Sequence, residues 1–354
     1  MAGINLLLLL FLATPPATSS FLCASSPAAT CNSLIDYVSP NATTLSSIQS
    51  LFTLPTLTPI LAANNLPLST PPTHRVASKQ TIKILFPCIC TNGTGKSHGL
   101  PSYKVIHGDG LYHIAQEVFS GLVTVPQIQE ANNISNPDLI IEGQNLSIPL
   151  PCSCDDADGQ KVVHYGYFVP QGSSVEGIAQ RFNTSQDTLL RLNNLNSSKD
   201  LMADSILDVP LRACSSVISN NSMDYPLLVP NDTYALTANS CVVCKCDAAL
   251  QWTLQCVPSG QLKTGGGSCP SVRCQGPENL SIGNTTSSGC NSTTCSYAGY
   301  NDRTILTTLS VDSTCPAVGG GGGRGGGKSS AARLQNWRHM LLLLLIFTVS
   351  VCHM

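Results

Sequence analysis

Apolar residues in this chain recur in blocks roughly sixty positions apart, and each block changes its period in the same order. The clearest pair begins at Tyr103 and Tyr165. After Tyr103 come GDGLYHIAQEVF, IQEANNI and LSIPLPC, ending at Cys152; after Tyr165 come QGSSVEGIAQRF, LLRLNNL and LDVPLRAC, ending at Cys214. A weaker copy precedes both, with LSSIQSLF, ILAANNL from Ile60 to Leu66, and TIKILFPC ending at Cys88. The doublets Asn64–Asn65, Asn132–Asn133 and Asn193–Asn194 fall at one place in the repeat.

Each copy predicts the same unit: a short alternating strand, a Gly/Asp/Ser turn, two helical stretches, a second turn and a closing strand. In the middle copy the first strand runs from Tyr103 to Ile106. Ile114, Ala115 and Val118 recur at helical spacing, behind Asp109 in a helix-capping position. Ile128 and Ala131 mark the second helix, which Asn132 and Asn133 end. Leu146 and Ile148 alternate on the closing strand until Pro149 stops it. The helices are expected to cover one face of a two-stranded sheet in each unit. The chain is therefore an α+β protein with βααβ units over 20–90, 103–151 and 165–213, and a region over 214–315 in which the period is lost.

Units this small bury little apolar surface alone, and the cysteines supply a remedy. Cys88-x-Cys90 and Cys152-x-Cys154 sit between units; such pairs cannot close on themselves, and Cys23 and Cys31 are partners available near the start. Nine further cysteines from Cys241 to Cys315 lie among many Gly, Ser, Thr and Asn, which predicts a small, irregular disulfide scaffold holding the repeats above a membrane. The run Cys241, Cys244 and Cys246 has metal-ligand spacing, but in a secreted chain without a nearby His it reads as disulfides; no metal and no cofactor is expected.

Secretion follows from the two ends. Leu6 to Ala13 is a short apolar run before Ala17, Thr18 and Ser19, a leader over 1–19, although Met1 to Asn5 carries no Lys or Arg. At the other end a Gly/Ser-rich linker over 316–330 precedes a polar spacer and an apolar tail from Leu341 to Cys352. That order is a glycolipid-anchor signal, with Ser329 or Ser330 as attachment residue and 331–354 removed. Removal of Cys352 leaves sixteen of the seventeen cysteines, an even number. The expected location is the extracellular face of the plasma membrane.

Charged residues make up only 11% of the chain and the formal net charge is −2, so no basic surface is present for nucleic acid. A neutral ligand fits better. Eleven Asn-x-Ser/Thr sequons occur, at Asn41, Asn92, Asn133, Asn145, Asn183, Asn196, Asn220, Asn231, Asn279, Asn284 and Asn291. A glycosidase would need two carboxylates roughly 5 to 9 Å apart across a cleft. The densest acidic cluster, Asp155, Asp156 and Asp158, reads as a solvated linker, and no Ser/His/Asp set or kinase motif stands out. No catalytic residue is assigned, and binding without catalysis is expected.

The strand, the GDxL turn, the IAxxF helix, the ANNI helix end and the closing LxIPLPC resemble the LysM module. Three such units separated by Cys-x-Cys, between a leader and an anchor signal, resemble the plant LysM receptors held by glycolipid. The resemblance implies a chitin-binding groove made by the loop after the first strand and the loop before the last. In the middle unit these are His107, Gly108, Asp109, Gly110, Leu111, Tyr112 and His113, with Asn136, Pro137, Asp138, Leu139, Ile140, Ile141 and Glu142. Ile140 takes the place of an apolar residue set against the N-acetyl methyl, and Gly108 and Gly110 allow close backbone approach. The first unit has Ser39, Pro40 and the Asn41 sequon in place of the Gly-Asp turn; the third keeps Gly172 and Ser173 but departs at Leu201 and Met202. The resemblance also implies disulfides Cys23 to Cys90, Cys31 to Cys154 and Cys88 to Cys152. As partners it implies a chitin oligosaccharide, a LysM receptor kinase as co-receptor, and a ligand-bridged homodimer. A peptidoglycan receptor and a passive wall-binding protein are the competing readings.

Overall fold

The computed structural model describes residues 21–23, 29–215, 218–250, 252–261, 266–276, 279–301 and 303–313. The leader, the linker with Ser329 and Ser330, the segment 331–354 and Cys315 lie outside the described residues. Among those described, no helix is long and apolar enough to cross a membrane.

All three copies fold as strand, helix, helix, strand. The first comprises Thr30–Val38, Leu45–Leu51, Thr58–Ala63 and Thr81–Thr91. The third comprises Val162–Phe168, Val175–Phe182, Gln186–Leu192 and Ile206–Cys214. In the middle copy the strands Ser102–Lys104 and Asn145–Ser147 flank a short helix, Leu111–His113, its π-helical continuation Ile114–Val118, and the helix Val125–Asn132. Hydroxyl side chains begin four of these helices by accepting a backbone N–H: Thr44 from Ser47, Thr124 from Gln127, Ser174 from Gly177 and Ser185 from Thr188.

The asparagine doublets have one job in all three units. The first Asn clips the end of the second helix to the closing strand. Asn64 Nδ2 donates to Ile60 O and Lys83 O, Asn132 Nδ2 to Ile128 O and Ser147 O, and Asn193 Nδ2 to Leu189 O and Asp208 O, all at 2.7–2.8 Å. The matching Oδ1 atoms accept from Lys83 N, Ser147 N and Asp208 N at 3.0, 2.8 and 2.7 Å. The second Asn turns the chain out of the helix, with φ of 51°, 53° and 52° at Asn65, Asn133 and Asn194. Asn tolerates this left-handed conformation better than other residues with a Cβ.

The sheets do not stay within their units. Thr30–Val38 and Val162–Phe168 pair in parallel at Leu34 with Tyr165 and Ile35 with Gly166, so the first and third units share one seven-stranded sheet. Gly166 lets the strands approach: a Cβ would lie 2.9 Å from Ile35 Cγ1, so a larger residue would have to displace that side chain. The middle unit keeps its own two strands. It joins the first unit through a common core, in which Phe52 and Phe119 meet edge to face at 5.9 Å.

Buried polar groups seal the joint. Asp36 accepts from Tyr165 OH at 2.5 Å and from Phe168 N at 3.1 Å, and burial raises its pKa. His164, 1% exposed, has Nδ1 at 2.8 Å from Asp208 Oδ1 and Nε2 at 2.8 Å from Asp155 O. Both ring nitrogens face acceptors, which favours the imidazolium. Desolvation opposes that charge, but Asp208 and the Asp155 carbonyl outweigh it, and the pKa is raised.

Disulfides Cys23–Cys90, Cys31–Cys154 and Cys88–Cys152 tie the linkers together. Beyond Cys214 the chain is more regular than its composition suggests. Tyr234–Thr237, Val242–Cys246 and Leu254–Pro258 form one antiparallel sheet; Thr285–Ser288, Asn291–Tyr300 and Ile305–Ser313 form another. Cys214–Cys246, Cys241–Cys269, Cys244–Cys256 and Cys274–Cys295 cross-link this region, so every cysteine of the metal-like run is a disulfide, and Cys290 is disulfide-bonded too. The region is also docked: Tyr234 OH donates to Leu66 O of the first unit at 2.6 Å.

Candidate functional site

The backbone brings the two loops of each unit together. In the middle unit Val105 N donates to Gln144 O and Gly143 N to Val105 O, both at 2.8 Å. The third unit repeats this with Val169 N to Ser205 O at 2.9 Å and Asp204 N to Val169 O at 2.8 Å. The first does so with Ser39 N to Gln80 O at 3.0 Å and Lys79 N to Ser39 O at 2.7 Å. Lys79, Gly143 and Asp204 all sit at positive φ, 65°, 85° and 60°. The loop 107–113 therefore starts beside the end of the loop 136–142.

Within the first loop, Asp109 does not cap the helix as its position suggests. The N-cap residue is Gly110 and no side chain caps it. Asp109 turns back instead: its Oδ2 accepts from Ile106 N and Tyr103 OH, each at 2.9 Å, and its side chain is 2% exposed. The turn needs this acceptor for the Ile106 N–H. Burial, then the Asp109 contact, push the Tyr103 hydroxyl up to about 12. Leu111 is buried in the core. His113 reaches Glu117 Oε2 at 3.1 Å, and His107 bridges the two loops with Nδ1 3.4 Å from Glu142 Oε2. Gly108, at φ +87°, and Gly110 both face open space at the Cβ position. In the second loop Asn136 Oδ1 accepts from Asp138 N at 3.0 Å, closing a turn that leaves Pro137 and Asp138 exposed.

The three consecutive apolar residues of that loop divide their roles. Leu139 and Ile141 are each 71% exposed, whereas Ile140 is half-buried and packs on the core. Ile106 and Tyr112, 60% and 70% exposed, add apolar surface in and beside the first loop. Ile106 was not among the sequence-derived candidates, because strand alternation alone does not tell which strand end is left uncovered. The common backbone register aligns Val76, Ile140 and Leu201 as the inward set and Ala77, Ile141 and Met202 as the outward one. Leu201 and Met202 thus occupy the same two positions as Ile140 and Ile141, half-buried and exposed.

No sequon asparagine lies within 107–113 or 136–142. Asn133 and Asn145 are exposed three residues before and three after the second loop, and Asn41 is exposed in the first-loop position of the first unit. Asn92, Asn183, Asn196, Asn220, Asn279, Asn284 and Asn291 are exposed as well. Asn231 is half-buried, donating to Asp232 Oδ2 and accepting from Ala248 N, both at 2.7 Å. The acidic linker forms surface pairs: Asp156 with Lys161 at 3.0 Å and Asp158 with Arg191 at 2.8 Å.

The LysM domain family model matches residues 103–149 and 167–210. The weaker first copy lies outside those matches while folding as the same unit. Over 301 residues the chain is 44% identical to LysM domain-containing GPI-anchored protein 2 of Arabidopsis thaliana, covering 84% of this chain and 83% of that protein. It is 41% identical over 305 residues to the chitin elicitor-binding protein of Oryza sativa subsp. japonica, covering 85% and 83%. A third relative, LysM domain-containing GPI-anchored protein 1 of Arabidopsis thaliana, is 38% identical, covering 81% and 69%. With that extent of likeness over nearly its whole folded length, the chain belongs to the family of LysM domain-containing GPI-anchored proteins.

Proposed function

We propose that this protein is a cell-surface receptor that binds chitin oligosaccharides in the groove of its middle unit and passes the signal to a LysM receptor kinase. One observation carries the reading: the exposed apolar side chains Ile106, Tyr112, Leu139 and Ile141 crowd onto two adjoining loops with open glycine backbone. A neutral N-acetylglucosamine polymer offers methyl groups to such a surface and amide groups to backbone N–H and C=O. No sequon asparagine lies within the two loops of the middle unit, whereas a glycan on Asn41 would cover the first unit. The apolar contact is Ile141 with Leu139; Ile140 supports them from the core side.

The receptor is held by a glycolipid at Ser329 or Ser330 on the outer face of the plasma membrane, and a long oligomer bridges two copies. The test is calorimetric titration of the secreted ectodomain with N-acetylglucosamine octamer and with soluble peptidoglycan fragments, wild type beside Ile141→Arg. Octamer binding lost in a variant with unchanged melting temperature supports the reading. Binding of peptidoglycan alone, or octamer binding that survives the substitution, overturns it.

A further inference from the structure

The C-terminal module holds a cavity of different chemistry. A cleft of about 950 Å³ opens between segment 270–276 and residues 304–309, the latter on and beside the outermost strand of the second small sheet. Its walls are fixed. Cys274 is disulfide-bonded to Cys295 on the central strand, and Thr307 Oγ1 donates to Arg273 O at 3.4 Å.

Arg273 and Arg303 both line the cleft. Elsewhere Lys161 and Arg191 pair with carboxylates, and Arg181 and Arg212 lie over aromatic rings. Arg273 and Arg303 form no ion pair among the described residues. Two guanidinium forks that line one cleft without an ion pair among the described residues are suited to two carboxylates. Gln275, Asn279 and Thr304 add amide and hydroxyl groups that match sugar hydroxyls, beside the apolar Pro270, Leu306 and Leu309, which suit the carbon face of a sugar ring.

We infer that this cleft binds an oligosaccharide carrying carboxylates, a uronic-acid chain, independently of the middle unit. The ligand's carboxylates meet the two arginines and its hydroxyls meet the amide and hydroxyl walls. A site of this kind would give the protein a second, acidic glycan contact on its C-terminal module.

The test is titration of the secreted, glycosylated chain with a ten-unit galacturonic acid oligomer, a neutral galactose oligomer of equal length, and inorganic phosphate. Asn279 lies in a sequon, so Asn279→Gln is titrated in parallel with wild type, Arg273→Gln, Arg303→Gln and the double variant. The acidic oligomer is expected to bind in wild type or Asn279→Gln and to weaken about tenfold with each arginine removed. The neutral oligomer is expected to stay unbound, and N-acetylglucosamine octamer binding to stay unchanged. Failure of the acidic oligomer to bind either form, indifference to the double substitution, or equal affinity for inorganic phosphate overturns the inference.

Discussion

Asn132 and Ser147 are joined by a pair of hydrogen bonds, side-chain amide to backbone, that fastens the second helix of the middle unit to its closing strand. An amide side chain alone offers a donor and an acceptor side by side at that reach, so Asp or Leu of similar size cannot replace it. Asn132→Ala should destabilise the ectodomain by about 1–3 kcal/mol by leaving strand groups unpaired. Urea unfolding with disulfides intact measures this; a loss below about 0.5 kcal/mol, the range of an ordinary surface change, would sink the account.

The second Asn of each doublet acts through backbone shape alone. Asn65, at φ 51°, is outside any sequon and gives the cleaner test. Asn65→Gly should be nearly neutral, while Asn65→Ala should cost about 1–2 kcal/mol. Equal effects of the two changes would point to side-chain contacts instead.

His164 makes stability depend on pH in a definite direction. Its folded-state pKa is raised, so its contribution is fully present below the unfolded value of about 6.5 and is lost as pH rises through the folded value. Asp36, also raised, acts in the same sense from the carboxylate range upward. The melting temperature should therefore fall above about pH 6.5, and His164→Gln, which cannot titrate, should remove that slope. A wild-type melting temperature that rises across this range contradicts the assignment.

Ile140 and Ile141 should separate stability from binding. Ile140→Ala removes core contacts and should lower stability by about 1–3 kcal/mol with little direct effect on octamer affinity. Ile141→Ala should do the reverse. Parallel thermal melts and titrations decide, and an unaltered melting temperature in Ile140→Ala would return that residue to the groove.

Bridging predicts a dependence on ligand length. Linking two weak sites can raise apparent affinity by about 10²- to 10⁴-fold without any new contact. An octamer should then drive dimers in analytical ultracentrifugation, whereas a tetramer at matched occupancy should not. Equal dimerisation by both would remove the bridge from the mechanism.

Much of the unit was legible because helix and strand periods leave local marks: Ile114, Ala115 and Ile128 are buried where their spacing put them. The doublets were visible as a repeat, but their bonds to Lys83, Ser147 and Asp208 involve backbone partners that no residue type announces. The inward turn of Asp109 was hidden for a similar reason, since its acceptor could serve either the helix or the Ile106 N–H. Choosing between Leu139, Ile140 and Ile141 required the loop register. The parallel pairing of Leu34 with Tyr165 had only an indirect sign, the strand VVHYGYF, whose apolar residues do not alternate because both faces are covered.

That pairing bears on the order in which the molecule can be made. Strands some 130 residues apart must meet, and the Cys31–Cys154 bridge spans 123 residues. As the chain is synthesised from its N-terminus, the first unit has to wait with an open sheet edge until the third arrives, and that edge is a hazard for wrong pairing. The repeats are thus not beads to be cut out or exchanged one at a time: a fragment that stops after the middle unit would expose the strand Thr30–Val38 along the side that Val162–Phe168 covers.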